Sequence, residues 1–351
     1  MRELGDDRRQ RILAVVEARG EARVSELAAE LEVSVITVRR DVEGLAQEGK
    51  LRRGHGVARS VVPQVRKAPA ATKDGAIALV VPERHAYLNE VVHGARTALE
   101  EAGTRVVLHI APRVPGAEGA IVERLDGVRG LLIAPRWRTA EEEEADYAWL
   151  ARAEVPTVLM ERRPHGVLHA ADAVYTDHGY GMHLAVDHLV ALGHRRIVLA
   201  ARDDSPTARA LRAAFAGIVA ARPEIEDSAV ILSAPDAGAV PGEGEPVELA
   251  ELMRERHATA AVLHGDVDAL MLVQQLADAG IRVPAECSVV AYDDVVAALG
   301  STPLTAVAPP KAEVGRVAAE LLLERLARGG GRPRQVAVMP ELKVRGSTRP
   351  R

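Results

Sequence analysis

Apolar positions recur at helical spacing three times near the start of the chain. Within Arg8–Ala18, Ile12, Leu13, Val15 and Val16 fall on one side, which predicts an amphipathic helix ended by Gly20. Val24-Ser25-Glu26-Leu27 reads as an N-cap before a short helix to Leu31, with Leu27, Ala28 and Leu31 turned inward. A turn at Glu32-Val33 leads to Ser34, a second N-cap with Thr37 three residues on. The helix that follows, Val35 to Gln47, buries Val38, Val42 and Leu45 and presents Thr37, Arg39, Arg40 and Glu43. Gly49 closes it, and Leu51–Val57 reads as a short β-ribbon with a glycine turn. Three helices and a basic ribbon predict a winged helix-turn-helix, whose second capped helix is presented to the major groove of DNA. Ser34 and Thr37 start that helix. Arg39 and Arg40 can reach guanine edges or phosphates, and Arg52, Arg53 and His55 on the wing can reach the backbone or minor groove.

Beyond residue 74 the pattern changes. Apolar strand-like runs at 76–81, 105–110, 130–134 and 157–160 alternate with helical stretches at 89–102, 117–125 and 140–153. After 173–175 the alternation restarts, with strands at 196–200, 229–233, 260–264 and 288–292 and helices at 180–192, 208–221, 247–256 and 268–279. Such alternation predicts parallel sheets covered by helices on both faces. Two successive sets predict two doubly wound lobes, with ligands bound beyond the carboxyl ends of the strands. Those ends carry Pro82 to Asn89, Pro135-Arg136-Trp137, Glu161-Arg162, Ala201 to Arg212, Gly265-Asp266 and Tyr292-Asp293-Asp294. Carboxylates that accept and guanidiniums that donate suit a polyhydroxylated ligand. Asp266 also has a structural reading, as a cap on the following helix.

Composition narrows this picture. At 351 residues the chain is long enough for two or three domains, and 48% hydrophobic residues exclude a disordered chain. Cys287 is the only cysteine, so neither an intramolecular disulfide nor a cysteine-rich zinc site is expected. No apolar run approaches a membrane span and the charged start lacks a secretory h-region, so a soluble, cytoplasmic protein is expected. Residues 1–67 hold 14 basic and 11 acidic residues, whereas the remainder holds 31 and 39. A basic head on an acidic body fits an anionic partner for the head. His183 and His188 are five residues apart, off a shared helical face, and no His-Glu-x-x-His occurs, so no metal or cofactor is expected. Pro241–Pro246 reads as a loop and 141–146 as a solvated helix start. Only eight aromatics occur; Tyr87, Trp137 and Tyr292 fall at or beside strand ends, where a ligand face could stack.

The run VSELAAELEVSVITVRRDVEGLAQEGKLRRGHGVA closely resembles the N-terminal domain of DeoR-type transcriptional regulators. It carries Ser34, Thr37, Arg39-Arg40-Asp41, Leu51, Arg53, His55 and Gly56 at that family's spacing, with Val57 where a second glycine is common. TDHGYGMHLAVDHLVALGHRRIVLA, HGDVDALMLVQQLADAGIRVPAECSVVAYDD, TPLTAVAPPKAEVGRVAAELLLERL and the closing PELKVRGST resemble the effector domain of the lactose-repressor (LacI) family, similar to periplasmic sugar-binding proteins. The resemblance implies a head over 1–58, a linker over 59–74 and an effector domain over 75–351. Its N-lobe would take about 75–174 and 308–330, and its C-lobe about 175–304 and 334–348. It further implies a homodimer on double-stranded operator DNA and a small effector in the cleft, sugar-like or alternatively a purine or nucleoside. Carried over by motif, Tyr87, Leu88, Glu161 and Asp266 would meet that effector, with Arg212, or else Arg209, as the clamping arginine. The lactose-type hinge helix is missing, so coupling between effector and DNA is expected to run through dimer geometry. An α/β enzyme with a fused head would need a nucleophile or acid/base motif, and the strand ends carry none.

Overall fold

The computed structural model describes residues 5–19, 21–31, 33–48, 50–54, 57–60, 75–83, 86–164, 171–233 and 249–351. His55, most of the linker (61–74), the 241–246 loop and the side chains of Arg52 and Arg53 lie outside this description.

In the head, α1 (Gly5–Arg19), β1 (Glu21–Arg23), α2 (Val24–Glu30) and α3 (Val35–Gln47) precede the hairpin β2 (Leu51–Gly54) and β3 (Val57–Ser60). The small sheet has the order β1-β3-β2, antiparallel throughout. Ile12, Val16, Leu27, Val38, Val42, Leu45 and Leu51 are all at most 2% exposed, so the helical spacing read in the sequence is the core. One local expectation differs. Helix α2 starts at Val24 with Arg23 as its N-cap, and the Glu26 carboxylate accepts from the Arg23 N–H at 3.5 Å. Ser25 therefore sits inside the first turn and does not cap it.

The body holds two six-stranded sheets. The first is built from β4 (Ala76–Pro82), β5 (Val106–Ala111), β6 (Val128–Ile133), β7 (Thr157–Met160), β8 (Asp172–Thr176) and β14 (Gln335–Val338) in the order β14-β8-β7-β6-β4-β5, all parallel. The second takes β9 (Arg196–Ala200), β10 (Asp227–Ile231), β11 (Ala260–Leu263), β12 (Ser288–Tyr292), β13 (Thr305–Ala308) and β15 (Glu341–Lys343) in the order β10-β9-β11-β12-β13-β15. Only β15 is antiparallel there. Sequence placed 334–348 with the C-lobe, but β14 pairs with β8 and so joins the first sheet; the tail changes lobes between Val338 and Glu341. Helices α4 (Ala86–Glu101), α5 (Ala117–Val122), α6 (Ala140–Leu150) and α11 (Lys311–Arg328) pack with the first sheet, and α7 (His178–Ala191), α8 (Pro206–Ala221), α9 (Leu249–Glu255) and α10 (Asp266–Asp278) with the second. The fully buried central strands, such as β4 and β12, explain their near-continuous apolar runs. Among the described residues no helix is long and apolar enough to cross a membrane.

Helix α11 reaches its position by backbone-close packing on α4. A Cβ at Gly315 would lie 1.9 Å from the Val91 carbonyl oxygen, and one at Gly94 would lie 2.0 Å from that of Ala312. Two glycines thus interlock the helices and set Lys311, the first residue of α11, over the Tyr87 ring at 5.4 Å. Gly315→Ala forces the helices apart and is expected to cost about 3 kcal/mol. Chemical denaturation reads this as a lower midpoint with an unchanged slope; an unchanged midpoint contradicts the close packing.

Candidate functional site

Two surfaces collect the residues singled out from sequence. On the head, Ser34 caps α3 by accepting from the Thr37 N–H at 3.2 Å, and the two hydroxyls lie 2.8 Å apart. The cap fixes the first turn of α3, from which Arg39 and Arg40 project into solvent. Among the described residues no carboxylate lies within ion-pair distance of either guanidinium. Asp41, the third member of the triplet, is buried and accepts from Arg8 at 2.6 Å and Arg9 at 3.4 Å, so it ties α1 to α3. Sequence reading passed over Ile36. It is 79% exposed beside Val35 at 43%, an apolar pair on the face of a helix whose core side is already filled. An isoleucine left in water between a cap and two free arginines was the available signal.

The second surface lies between the lobes, beyond the carboxyl ends of the strands. Backbone strain concentrates there: Trp137, Glu161, Asp293 and Asp294 have φ of 41°, 52°, 101° and 52°. Each follows β6, β7 or β12. L-residues rarely persist at positive φ unless their surroundings hold them there. Glu161 is the centre of a buried network. Its Oε1 accepts from the Tyr87 hydroxyl and from the Thr176 hydroxyl, both at 2.8 Å, and its Oε2 accepts from the Thr176 N–H at 3.2 Å. Burial nonetheless raises its pKa above the usual carboxylate range. His178 Nδ1 is 3.2 Å from the Tyr292 hydroxyl, its Nε2 is 3.3 Å from the Thr207 hydroxyl, and burial followed by the Arg162 charge lowers its pKa to about 4. It is a neutral imidazole near pH 7.

Several expected ligand residues have structural work instead. Helix α4 begins at Ala86, before the predicted 89, so Leu88 lies in a helical turn and packs into the N-lobe core at 2% exposure. Tyr292 is fully buried, with its hydroxyl where a Cβ on Gly181 would stand, so it offers no open face. Trp137 is 2% exposed, stands edge-on to Tyr147 with centroids 6.2 Å apart, and donates its indole N–H to Asp146 at 3.0 Å. Asp266, 2% exposed, accepts from the N–H groups of Val295, Val296 and Ala297 at 2.5, 2.6 and 2.9 Å. It is a three-fold anchor for the loop after β12. The two arginines also divide. Arg209 bridges the lobes, donating to the carbonyls of Trp137 and Arg138 at 3.1 and 2.8 Å and to Glu143 at 3.1 Å. Arg212 donates to the Ala201 carbonyl at 3.3 Å at the end of β9 and has no carboxylate partner among the described residues.

Two residues absent from the expected set stand out. Asp293 carries no hydrogen bond on its carboxylate among the described residues. Burial first, then the charge of Asp266, raises its pKa to about 7, while Lys311 opposes the rise. Its carbonyl accepts from Lys311 Nζ at 2.6 Å, which ties the C-lobe loop to the start of α11. Neighbouring Asp294 is committed to Arg345 at 2.8 Å and Lys343 at 3.2 Å. His264 follows β11, is 6% exposed, and its Nδ1 is buried without a partner. Burial, followed by nearby His178, lowers its pKa to about 4. Asp293 stood in the strand-end series, but composition alone could not separate it from Asp294. Among the described residues no cluster of His, Cys, Asp and Glu could hold a metal ion.

This arrangement defines a class of protein: a ligand-responsive DNA-binding regulator, with a winged helix-turn-helix ahead of two lobes joined by polar contacts. Comparison with known proteins agrees. Residues 8–64 match the model of the DeoR-like helix-turn-helix domain, and residues 186–348 match that of the periplasmic binding protein-like domain. The arabinose metabolism transcriptional repressor of Geobacillus stearothermophilus is 28% identical over 335 residues, covering 92% of this chain and 90% of that protein. The structure of a CelR–cellobiose complex aligns with a TM-score of 0.63 and 26% identity, covering 90% of this chain and 91% of that one. A LacI family transcriptional regulator from Mycobacterium smegmatis aligns at 0.60 and 26%, covering 78% and 99%. These matches support a LacI-type transcriptional regulator with a DeoR-like helix-turn-helix head.

Proposed function

We propose that this regulator is a repressor: a homodimer that holds operator DNA through α3 and the β2–β3 wing, and that changes its affinity when a sugar-like effector enters the interlobe cleft. In this reading the head runs to about residue 58, 59–74 is a linker and 75–351 is the effector domain. One observation carries the effector assignment. The Asp293 carboxylate, the Arg212 guanidinium and the His264 Nδ1 stand at adjacent strand ends with unused hydrogen-bonding capacity, while their neighbours are satisfied. An acceptor, a fork of donors and a neutral imidazole suit a ring bearing several hydroxyls. Tyr87 and Glu161, already bonded to each other, form the opposite wall. A sugar fits better than a purine, because Trp137 and Tyr292 are buried and leave no open aromatic face for a base. We read the cleft as binding and not catalytic, since Glu161 is saturated by Tyr87 and Thr176, and His178, which lies beside the Thr207 hydroxyl, is held at a pKa of about 4, too weakly basic to activate it near pH 7. The dimer reading rests on exposed apolar side chains along one edge: Leu108 at 44% and Ile110 at 59% on β5, with Val114 at 57% just beyond it.

On the head, Arg39 and Arg40 would meet bases or phosphates, Ile36 a thymine methyl, and Arg52, Arg53 and His55 the flanking backbone. The test is affinity for a duplex selected from a random-sequence pool. Arg40→Ala, or Arg39→Ala, is expected to weaken binding by about 1–3 kcal/mol, roughly 5- to 150-fold, with unchanged melting of the body. Raising the salt should weaken the wild type steeply. Full affinity in both variants would overturn the recognition-helix assignment.

A further inference from the structure

The N-lobe contains a cavity of about 290 Å³ that none of the residues assigned to the sugar ring explains. Its wall includes Arg113 and Gly116 from the loop after β5, Arg136 to Arg138 from the loop after β6, and Asp146 and Trp149 from α6. The acids that face it are already engaged. Asp146 accepts both indole N–H groups, from Trp137 at 3.0 Å and Trp149 at 2.8 Å. Glu142 binds the Arg138 guanidinium at 2.7 and 3.0 Å and its N–H at 2.8 Å. Glu118 accepts from the Arg136 N–H at 3.3 Å, and burial raises its pKa, which favours its neutral form. Arg113 and Arg136 are different. Among the described residues neither guanidinium has a carboxylate within ion-pair distance. The positive charges of Arg113 and Arg138, after burial, hold the Arg136 pKa below its ordinary value. The unused polar capacity of this cavity is therefore two donor-only forks, crowded at like charge.

We propose that this cavity is an oxyanion subsite: Arg113 and Arg136 hold a phosphate or carboxylate group of the effector, which makes the effector an anionic sugar derivative. The proposal rests on the effector reading above and specifies its chemistry. A fork of guanidinium donors meets a planar or tetrahedral oxyanion bidentately, and the anion relieves the repulsion between the two arginines. The position also gives the anion leverage. Trp137 and Arg138, which line the cavity, are also the residues whose carbonyls Arg209 of the C-lobe grips, and Asp204 of that lobe acts electrostatically on Arg136. An anion that settles against Arg136 replaces the pull of Asp204 and so acts on the contact between lobes.

The protein carries its own reporter, because Trp137 and Trp149, its only two tryptophans, both line the cavity. The full chain is titrated with inorganic phosphate and, separately, with acetate, at an ionic strength held constant with sodium chloride, while tryptophan emission is followed. The expected result is a saturable change with one or both anions; the stronger one identifies phosphate or carboxylate as the natural group. Arg113→Ala and Arg136→Gln should each raise the half-saturation concentration about tenfold, equivalent to about 1.4 kcal/mol. Thermal melting without anion checks that each variant is folded. No saturable response to either anion would overturn the subsite, as would a response that persists in the folded Arg113→Ala/Arg136→Gln double variant. Neither result touches the sugar reading, which is judged on neutral sugars and on Asp293.

Discussion

Asp266→Ala should destabilise the body by about 3 kcal/mol, because one substitution leaves one buried and two half-buried N–H groups without a side-chain acceptor. The loop after β12 leads into a 3-10 turn over Ala297–Leu299, and a single carboxylate oxygen of Asp266 holds its entry by the N–H groups of Val295, Val296 and Ala297. No other side chain among the described residues accepts from them. In a body of this size such a loss corresponds to a fall in melting temperature of about 10 °C. Asp266→Asn keeps one acceptor oxygen without the charge and should recover part of the loss. A variant that melts like the wild type but no longer responds to sugar would instead return Asp266 to the ligand wall, where motif resemblance placed it.

Asp293→Asn should do the reverse, raising stability and removing response. The folded chain raises this carboxyl from its unfolded value near 4 to about 7, so its neutral form is the one the fold favours. That contribution is fully present below the unfolded value and is lost as pH rises through about 7, where the half-buried group ionises. Asparagine never ionises. It should therefore raise the melting temperature at pH 8 by about 2–4 °C and change little at pH 4, a difference that calorimetry at two pH values resolves. Effector affinity should fall about 100-fold, since a charged acceptor of sugar hydroxyls is replaced by a neutral amide. Equal stabilisation at both pH values would mean that Asp293 does not titrate in this range.

The architecture was legible because it rests on periodicity. Val38, Val42 and Leu45 face inward as their spacing requires, and strands such as 76–82 read as continuous apolar runs because both faces are covered. Strand β14 escaped notice because four residues at a sheet edge, three partly buried and one exposed, carry little pattern, and pairing, not composition, assigns them to the first sheet. The site was legible only as a zone. Strand ends pointed to the right loops, but within a loop the sequence does not say which carboxylate is spent. Asp266 and Asp294 are both engaged, one by backbone N–H groups and the other by Arg345 and Lys343, and Asp293 alone of the three has its carboxylate unpaired. Burial decides the aromatics in the same way. Trp137 and Tyr292 sit at strand ends but turn into packed walls, so their position suggested a stacking role that their exposure denies.

The central claim is that occupancy of the interlobe cleft controls the head. Fluorescence anisotropy of a labelled duplex selected by this protein, titrated with a panel of neutral and anionic sugars, measures that control directly. At least one sugar should shift the duplex affinity of the wild type, at a concentration about 100-fold lower than Asp293→Asn requires, while sugar-free affinity stays equal in both proteins. A shift of the same size at the same concentration in Asp293→Asn and in Arg212→Ala would contradict the account.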